Sequence, residues 1–359
     1  MKPFFFCVQL CGLVLVAVVG RADVAYPRPR EGDVVLRDFA FASGEMLAEL
    51  RLHYRVIGRP QRDAQGRVSN AVLILHGTTG SGADFLRPEF AGELFGAGQP
   101  LDAARHFLIL RDGIGHGRSG KPSDGLRAKF PRYGYRDMVK ADQRMLTEGL
   151  GVNHLRLVLG TSMGGMHTWL WGQLYPDFMD ALLPLASVPG QISGRNRVWR
   201  RMIIDAIRGD PEWRDGNYTA QPPAVRLAAQ MLFYVSSNPV LRREAAPTLS
   251  QSDAVLDAFV ASHGKTADAN DLLYAFEASR DYDPGPALET IRAPLVAINS
   301  ADDLINPPEL GVLEREIKRV ARGRAVTIPS SPETRGHGSH TVAKLWKQEL
   351  EALLRESAR

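Results

Sequence analysis

The sequence predicts an α/β fold, a mostly parallel sheet with helices on both faces and an inserted helical cap. Three observations predict it. Six short, continuous apolar runs recur at 72–75, 107–110, 155–159, 181–185, 295–298 and 325–328, as strands buried on both faces require. Helical patterns separate them, notably at 137–150 and 166–175, and alternating β and α elements give a parallel sheet under two helical layers. The alternation stops between 187 and 286, a stretch rich in Arg, Trp, Met and Tyr without a buried-strand run.

Taken in order, the first segment is Lys2 followed by an apolar stretch over 3–19, then Gly20-Arg21-Ala22. Its length suits a signal-peptide core better than a membrane span, and the small residues suit cleavage after Ala22. The expected protein is therefore exported, periplasmic or secreted, without a stable span after processing; the rival is an uncleaved anchor. Both cysteines, Cys7 and Cys11, lie in this segment. The processed chain would hold no disulfide, thiolate nucleophile or cysteine-bound metal. Two half-exposed strands follow near 34–41 and 47–57, the second alternating Leu50, Leu52, Tyr54 and Val56. The expected organisation is signal 1–22, core 23–186, cap 187–286 and core again 287–359. Net charge is +4 with both signs mixed. Without a lysine-arginine stripe or a reading module, this excludes nucleic acid as a partner.

The chemistry centres on Gly160-Thr161-Ser162-Met163-Gly164-Gly165, set between an apolar run and a helical pattern. Strand, Gly-x-Ser-x-Gly, helix is the context in which a serine sits on a strained turn at the sheet edge. The helix N-terminus behind it favours developing negative charge. A serine nucleophile needs a base, and the base an orienting acid. After the fifth run come Asp302 and Asp303; after the sixth, Arg335-Gly336-His337-Gly338-Ser339-His340. Each candidate lies just past the carboxyl end of a strand, the edge on which open α/β sheets build sites. The adjacent aspartates leave two choices for the acid. For the base, Ser339 reads as the N-cap of the final helix, which puts His340 inside it and His337 on the loop before it, the better position. Oxyanion donors are expected from the backbone of Met163 and of Thr78 or Thr79, after His76-Gly77. His76 itself reads as structural.

The loop over 112–119, Asp-Gly-Ile-Gly-His-Gly-Arg-Ser, lacks a Gly-Lys-Ser/Thr and has the wrong spacing for a dinucleotide site. It reads as a structural turn, and His116 has no second metal ligand at suitable spacing. No cofactor is expected. Trp199, Trp213, Phe233 and Tyr234 are candidates for a pocket under the cap, and equally for its core.

These residues resemble the α/β-hydrolase superfamily throughout the processed chain. Several stretches resemble its homoserine O-acetyltransferase branch: G-T-S-M-G-G-M over 160–166, Tyr135-Arg136-Asp137-Met138-Val139, the stretch 205–218, Phe233-Tyr234-Val235-Ser236-Ser237 and Asp302-Asp303-Leu304-Ile305. In that branch the acid opens an Asp-x-Leu-Phe pattern, so the resemblance implies Asp302; its Gly-His-Asp pattern implies His337. The implied site is thus Ser162, Asp302 and His337, with Met163 and Thr78 as oxyanion donors. The branch's aspartate after the histidine is Gly338 here, and its substrate-clamping arginine aligns with Leu227, beside Arg226. Those groups hold the charges of homoserine, and burying a zwitterion without them is costly. The branch's long Gly-Ser-Thr-Gly-Pro loop is missing, and export removes the usual supply of acetyl-CoA. The expected activity is hydrolysis of a small, uncharged carboxylic ester through an acyl-enzyme. The alternatives are an acyltransferase using the same triad and a non-catalytic ligand-binding protein of this fold.

Overall fold

The computed structural model describes residues 26–358. The expected signal segment and both cysteines lie outside them. Eight strands form one sheet: β1 (Arg30–Ala40), β2 (Met46–Ile57), β3 (Ala71–Leu75), β4 (Phe107–Arg111), β5 (Leu157–Thr161), β6 (Leu182–Leu185), β7 (Leu295–Ser300) and β8 (Gly323–Ile328). Their order is β1-β2-β4-β3-β5-β6-β7-β8. β1 and β2 pair antiparallel, and β2 pairs antiparallel with β4. All later pairs are parallel. β3, β4, β5 and β7 are buried along their whole length, which is why their sequences are continuous apolar runs rather than alternating ones.

Numbering only helices of seven residues or more, α1 (Tyr135–Arg144) and α2 (Met163–Leu174) cover one face. There Met138, Val139, Trp169 and Leu170 pack on the sheet. The other face is closed by Phe90, Phe95 and Trp346 with Leu350 and Leu353 of the terminal helix. Between β6 and β7 the chain builds the cap: α3 (Gly194–Gly209), α4 (Ala224–Ser236), α5 (Pro239–Ala245), α6 (Leu249–His263) and α7 (Ala269–Glu277). It has its own apolar centre of Trp199, Ile203, Ile204, Ile207 and Phe276. The terminal helix α8 (Lys347–Glu356) starts later than the sequence implies. Ser339 does not cap it: its hydroxyl accepts from the Arg335 N–H at 2.8 Å, and 338–345 turn through two short 3₁₀ segments.

Candidate active site

β5 is flanked by β3 and β6 near the middle of the sheet, so the turn at its end opens onto the edge that the cap covers. Ser162 occupies that turn with φ 54° and ψ −113°, a strained conformation for a residue with a side chain. The turn exists because strand and helix nearly touch. A Cβ on Gly160 would lie 1.9 Å from the Gly164 carbonyl oxygen, and one on Gly164 would lie 2.0 Å from that of Leu75. Only hydrogen fits at either position. The Ser162 N–H is tied to Leu185 O at 2.9 Å, which fixes the serine against β6.

His337 Nε2 stands 2.8 Å from Ser162 Oγ, and its Nδ1 stands 2.8 Å from Asp303 Oδ2. Asp303 is almost wholly enclosed. Burial pushes its carboxyl up, but His337 and the N–H groups of Ile305 and Asn306 outweigh that and hold it below the usual carboxylate range. The acid beside the histidine is therefore Asp303, and the expectation of Asp302 is corrected. The cause is a tight turn after β7. The Asp303 N–H bonds back to Ser300 O at 3.1 Å, and Asp303 Oδ1 caps the N–H of Ile305 at 2.7 Å. That turn aims position 303 at the sheet end. Asp302 accepts instead from Ser300, from Asn238 at the start of α5, from Thr334 at 2.9 Å and from the Gly336 N–H at 3.0 Å. It fastens the loop preceding His337 to the cap.

Met163 is the first residue of α2, so its N–H has no partner within the helix. Gly77 packs on Ser162: a Cβ there would lie 3.3 Å from Ser162 Cβ. Thr78 and Thr79 line the cavity above Ser162. His76 organises this loop from behind. Its Nε2 lies 3.0 Å from the Gly113 N–H, which can only donate. The proton therefore sits on Nδ1 and is given to Gly77 O at 2.8 Å. Burial, followed by the neighbouring Arg111 charge, keeps His76 neutral with its pKa well below the ordinary value. Arg111 also binds Asp142 and His167, at 3.0 Å and 2.9 Å. This buried network was not legible in the sequence, because no spacing links residues 76, 111, 142 and 167.

His340 does not reach the serine. Its ring packs edge-on to that of His337, centroids 5.4 Å apart, and burial pushes it down to about 3. The cavity over Ser162 measures about 420 Å³. Of the aromatic candidates, Trp199 lines it; Trp213 instead bonds Asn270 within the cap, Phe233 packs edge-on against Phe259 and Tyr234 is exposed. Arg226 pairs with Asp257 on the cap surface at 3.0 Å, and neither it nor Leu227 lines the cavity. The 112–119 loop is a structural turn: Asp112 accepts from Arg55, Gly82 and Arg118, and Ser119 Oγ donates to Asp112 O at 2.7 Å. Three arginines line the cavity, Arg87, Arg200 and Arg335, and sequence reasoning placed none of them there; Arg200 of α3 reads as one of several arginines on an amphipathic helix.

The family model of the alpha/beta hydrolase fold matches residues 70–323. A probable acyltransferase of Methanothermobacter thermautotrophicus is 32% identical over 282 residues, covering 77% of this chain and 84% of the relative. A homoserine O-acetyltransferase of Trichormus variabilis is 33% identical over 298 residues, 75% of this chain and 79% of the relative. Among solved structures, an acetylester hydrolase from Corynebacterium glutamicum superposes with a TM-score of 0.78 at 19% identity, over 91% of this chain and 96% of that one.

Proposed function

We propose that this chain, which belongs to the α/β-hydrolase family and to its homoserine O-acetyltransferase-like branch, is an exported serine hydrolase that cleaves a small carboxylic ester. The observation that carries the reading is the unbroken relay Ser162 Oγ, His337 Nε2, His337 Nδ1, Asp303 Oδ2, with 2.8 Å at each contact. His337 takes the Ser162 proton as Oγ attacks the ester carbonyl, and the resulting oxyanion accepts from the N–H groups of Met163 and Thr78. Collapse breaks the bond between the carbonyl carbon and the alcohol oxygen; the alcohol departs with the proton from Nε2, and the acyl group stays on Ser162 Oγ. Water then repeats the sequence: its proton goes to Nε2, its oxygen to the acyl carbon, and the free acid departs as Oγ regains the proton. Asp303 keeps the imidazole in the tautomer that presents a bare Nε2 and stabilises its charged form.

A second reading, transfer of the acyl group to an alcohol, is favoured by the names of the relatives. Against transfer to homoserine, Gly338 and Leu227 stand where that branch carries charged groups, and Leu227 lies outside the cavity. A fluorophosphonate probe is expected to label Ser162. The product of a simple acetyl ester, followed with rising homoserine, separates the two readings. Free acetate is expected throughout; O-acetylhomoserine formed at a rate rivalling hydrolysis would replace the hydrolase with the transferase. Export is tested by the intact mass of the processed protein, expected to lack residues 1–22 and with them both thiols.

A further inference from the structure

Arg200 is a buried cation without a counter-charge. The residue is 2% exposed, yet no carboxylate among the described residues forms an ion pair with it. Nε donates to the neutral Asn196 Oδ1 at 3.0 Å, and the guanidinium lies over the Trp199 ring at 4.8 Å and near Phe276 at 5.9 Å. Nη1 has no acceptor. Two further groups share that condition. The Tyr135 hydroxyl lies against both Arg200 and Thr78, but Tyr135 OH and Thr78 Oγ1 lack a properly formed hydrogen bond. Thr78 and Arg200 line the same cavity as Ser162 and His337; Tyr135 stands behind them.

An uncompensated buried charge is expensive, and so is each unsatisfied buried donor. Folds retain such groups where a ligand completes them. A guanidinium edge and two hydroxyls call for an acceptor that carries negative charge. One free guanidinium nitrogen, with the other donors neutral, matches a monoanion better than a phosphate dianion. A carboxylate is planar, singly charged and able to accept from several donors at once.

We propose that Arg200, backed by Thr78 and Tyr135, is the anion subsite of this enzyme, and that its substrate is an ester bearing a carboxylate a few bonds from the scissile carbonyl. The proposal rests on Ser162 being the acylated residue and replaces the uncharged ester expected from the sequence. The cation comes from α3, not from position 227, so the loss of a charge at 227 does not leave the pocket neutral. The carboxylate could belong to the acyl or to the alcohol half of the ester; the Arg200 chemistry is common to both.

The test compares matched esters. Mono-4-nitrophenyl glutarate against 4-nitrophenyl butyrate places the charge on the acyl side. O-acetyl-3-hydroxybutyrate against its amide places it on the alcohol side. In one of the two pairs kcat/KM for the charged ester is expected to exceed that of its neutral partner by about 10- to 100-fold, the range of a hydrogen bond to a charged group. That ratio is expected to collapse toward one in Arg200→Gln and to be partly kept in Arg200→Lys. Removing a buried cation that has no partner is also expected to raise Tm, where loss of a merely structural arginine would lower it. Ratios near one in the unmodified protein, or ratios unchanged in Arg200→Gln, would overturn the subsite.

A binding arm is independent of turnover. In Ser162→Ala, 3-hydroxybutyrate and glutarate are tested against their amides by thermal shift. A rise with a carboxylate alone, abolished by adding Arg200→Gln, supports the subsite even if no ester is hydrolysed, in which case the nucleophile assignment fails separately. Ester hydrolysis without charge preference or carboxylate binding leaves the hydrolase standing and removes the subsite.

Discussion

Asp302 and Asp303 are neighbours with the same side chain, and each serves a different loop. Asp303→Asn is expected to lower kcat by about four orders of magnitude, because an amide at that position favours the wrong imidazole tautomer. Asp302→Asn weakens acceptance from the Gly336 N–H, Thr334 and Asn238. It is expected to cost about 1–3 kcal/mol of stability and a much smaller loss of kcat, since those bonds position the His337 loop without touching the imidazole. Urea unfolding and steady-state kinetics on the two variants separate the roles; comparable loss of kcat in both would mean the relay runs through neither carboxylate alone. Ser162→Ala and His337→Ala are each expected to abolish turnover, since members of one relay fail together. His340→Ala is expected to keep most of it, because that ring touches only the side of His337. The placement of Ser162 and of a histidine at 337 was legible because each follows a recognisable strand and, for the serine, a steric motif. The choice between 302 and 303 was not, because a turn closed by one backbone bond to Ser300 decides it and the paired aspartates fit the pattern in either register.

At the scale of elements, the strand–serine–helix unit depends on contact between backbones. β3 passes so close to α2 that Gly164 has no room for a methyl group: a Cβ would lie 2.0 Å from Leu75 O. Gly164→Ala must therefore push α2 away from β3 or distort the Ser162 turn. Overpacking of this kind costs about 1–3 kcal/mol or more. Both a lower Tm and a fall in kcat beyond the thermal loss are expected, and unchanged kinetics with normal stability would show the turn to be adaptable. All eight strands were legible: burial on two faces forces unbroken apolar runs in β3 to β7, the partly buried β8 keeps a short apolar run, and the half-exposed β2 shows by alternation and stands beside β1. The edges of elements were less so. α2 begins at Met163, three residues before the sequence suggests, since Gly164 and Gly165 are poor helix formers held in place by packing against β3 and β6. The start of α8 was misplaced for the converse reason: Ser339 has capping chemistry, but its hydroxyl is engaged by Arg335.

For the whole molecule, the buried histidines set the response to acid. His76 and His167 are held well below the ordinary value by burial and by Arg111. His116 is pushed down to about 4 and His340 to about 3, in each case first by burial. The unfolded chain protonates these rings near pH 6.5, whereas the folded chain resists. Below about pH 6.5 the unfolded state thus binds more protons, and stability falls as pH falls. Three aspartates act in the opposite sense, Asp281 among them, raised first by burial. Burial raises Asp142 and Asp271 to about 6, so between about pH 6 and pH 4 the folded state takes up their protons first. Four strongly depressed histidines outnumber three raised aspartates, and the net slope keeps the histidine sign. Urea midpoints are expected to be level above about pH 7 and to decline steadily from pH 6.5 to pH 4.5. His116→Asn and His340→Asn should each flatten that decline by removing one of the resisting rings. A midpoint as high at pH 5 as at pH 7.5 would mean that the aspartates dominate, or that water reaches these imidazoles and lets them titrate in the folded state.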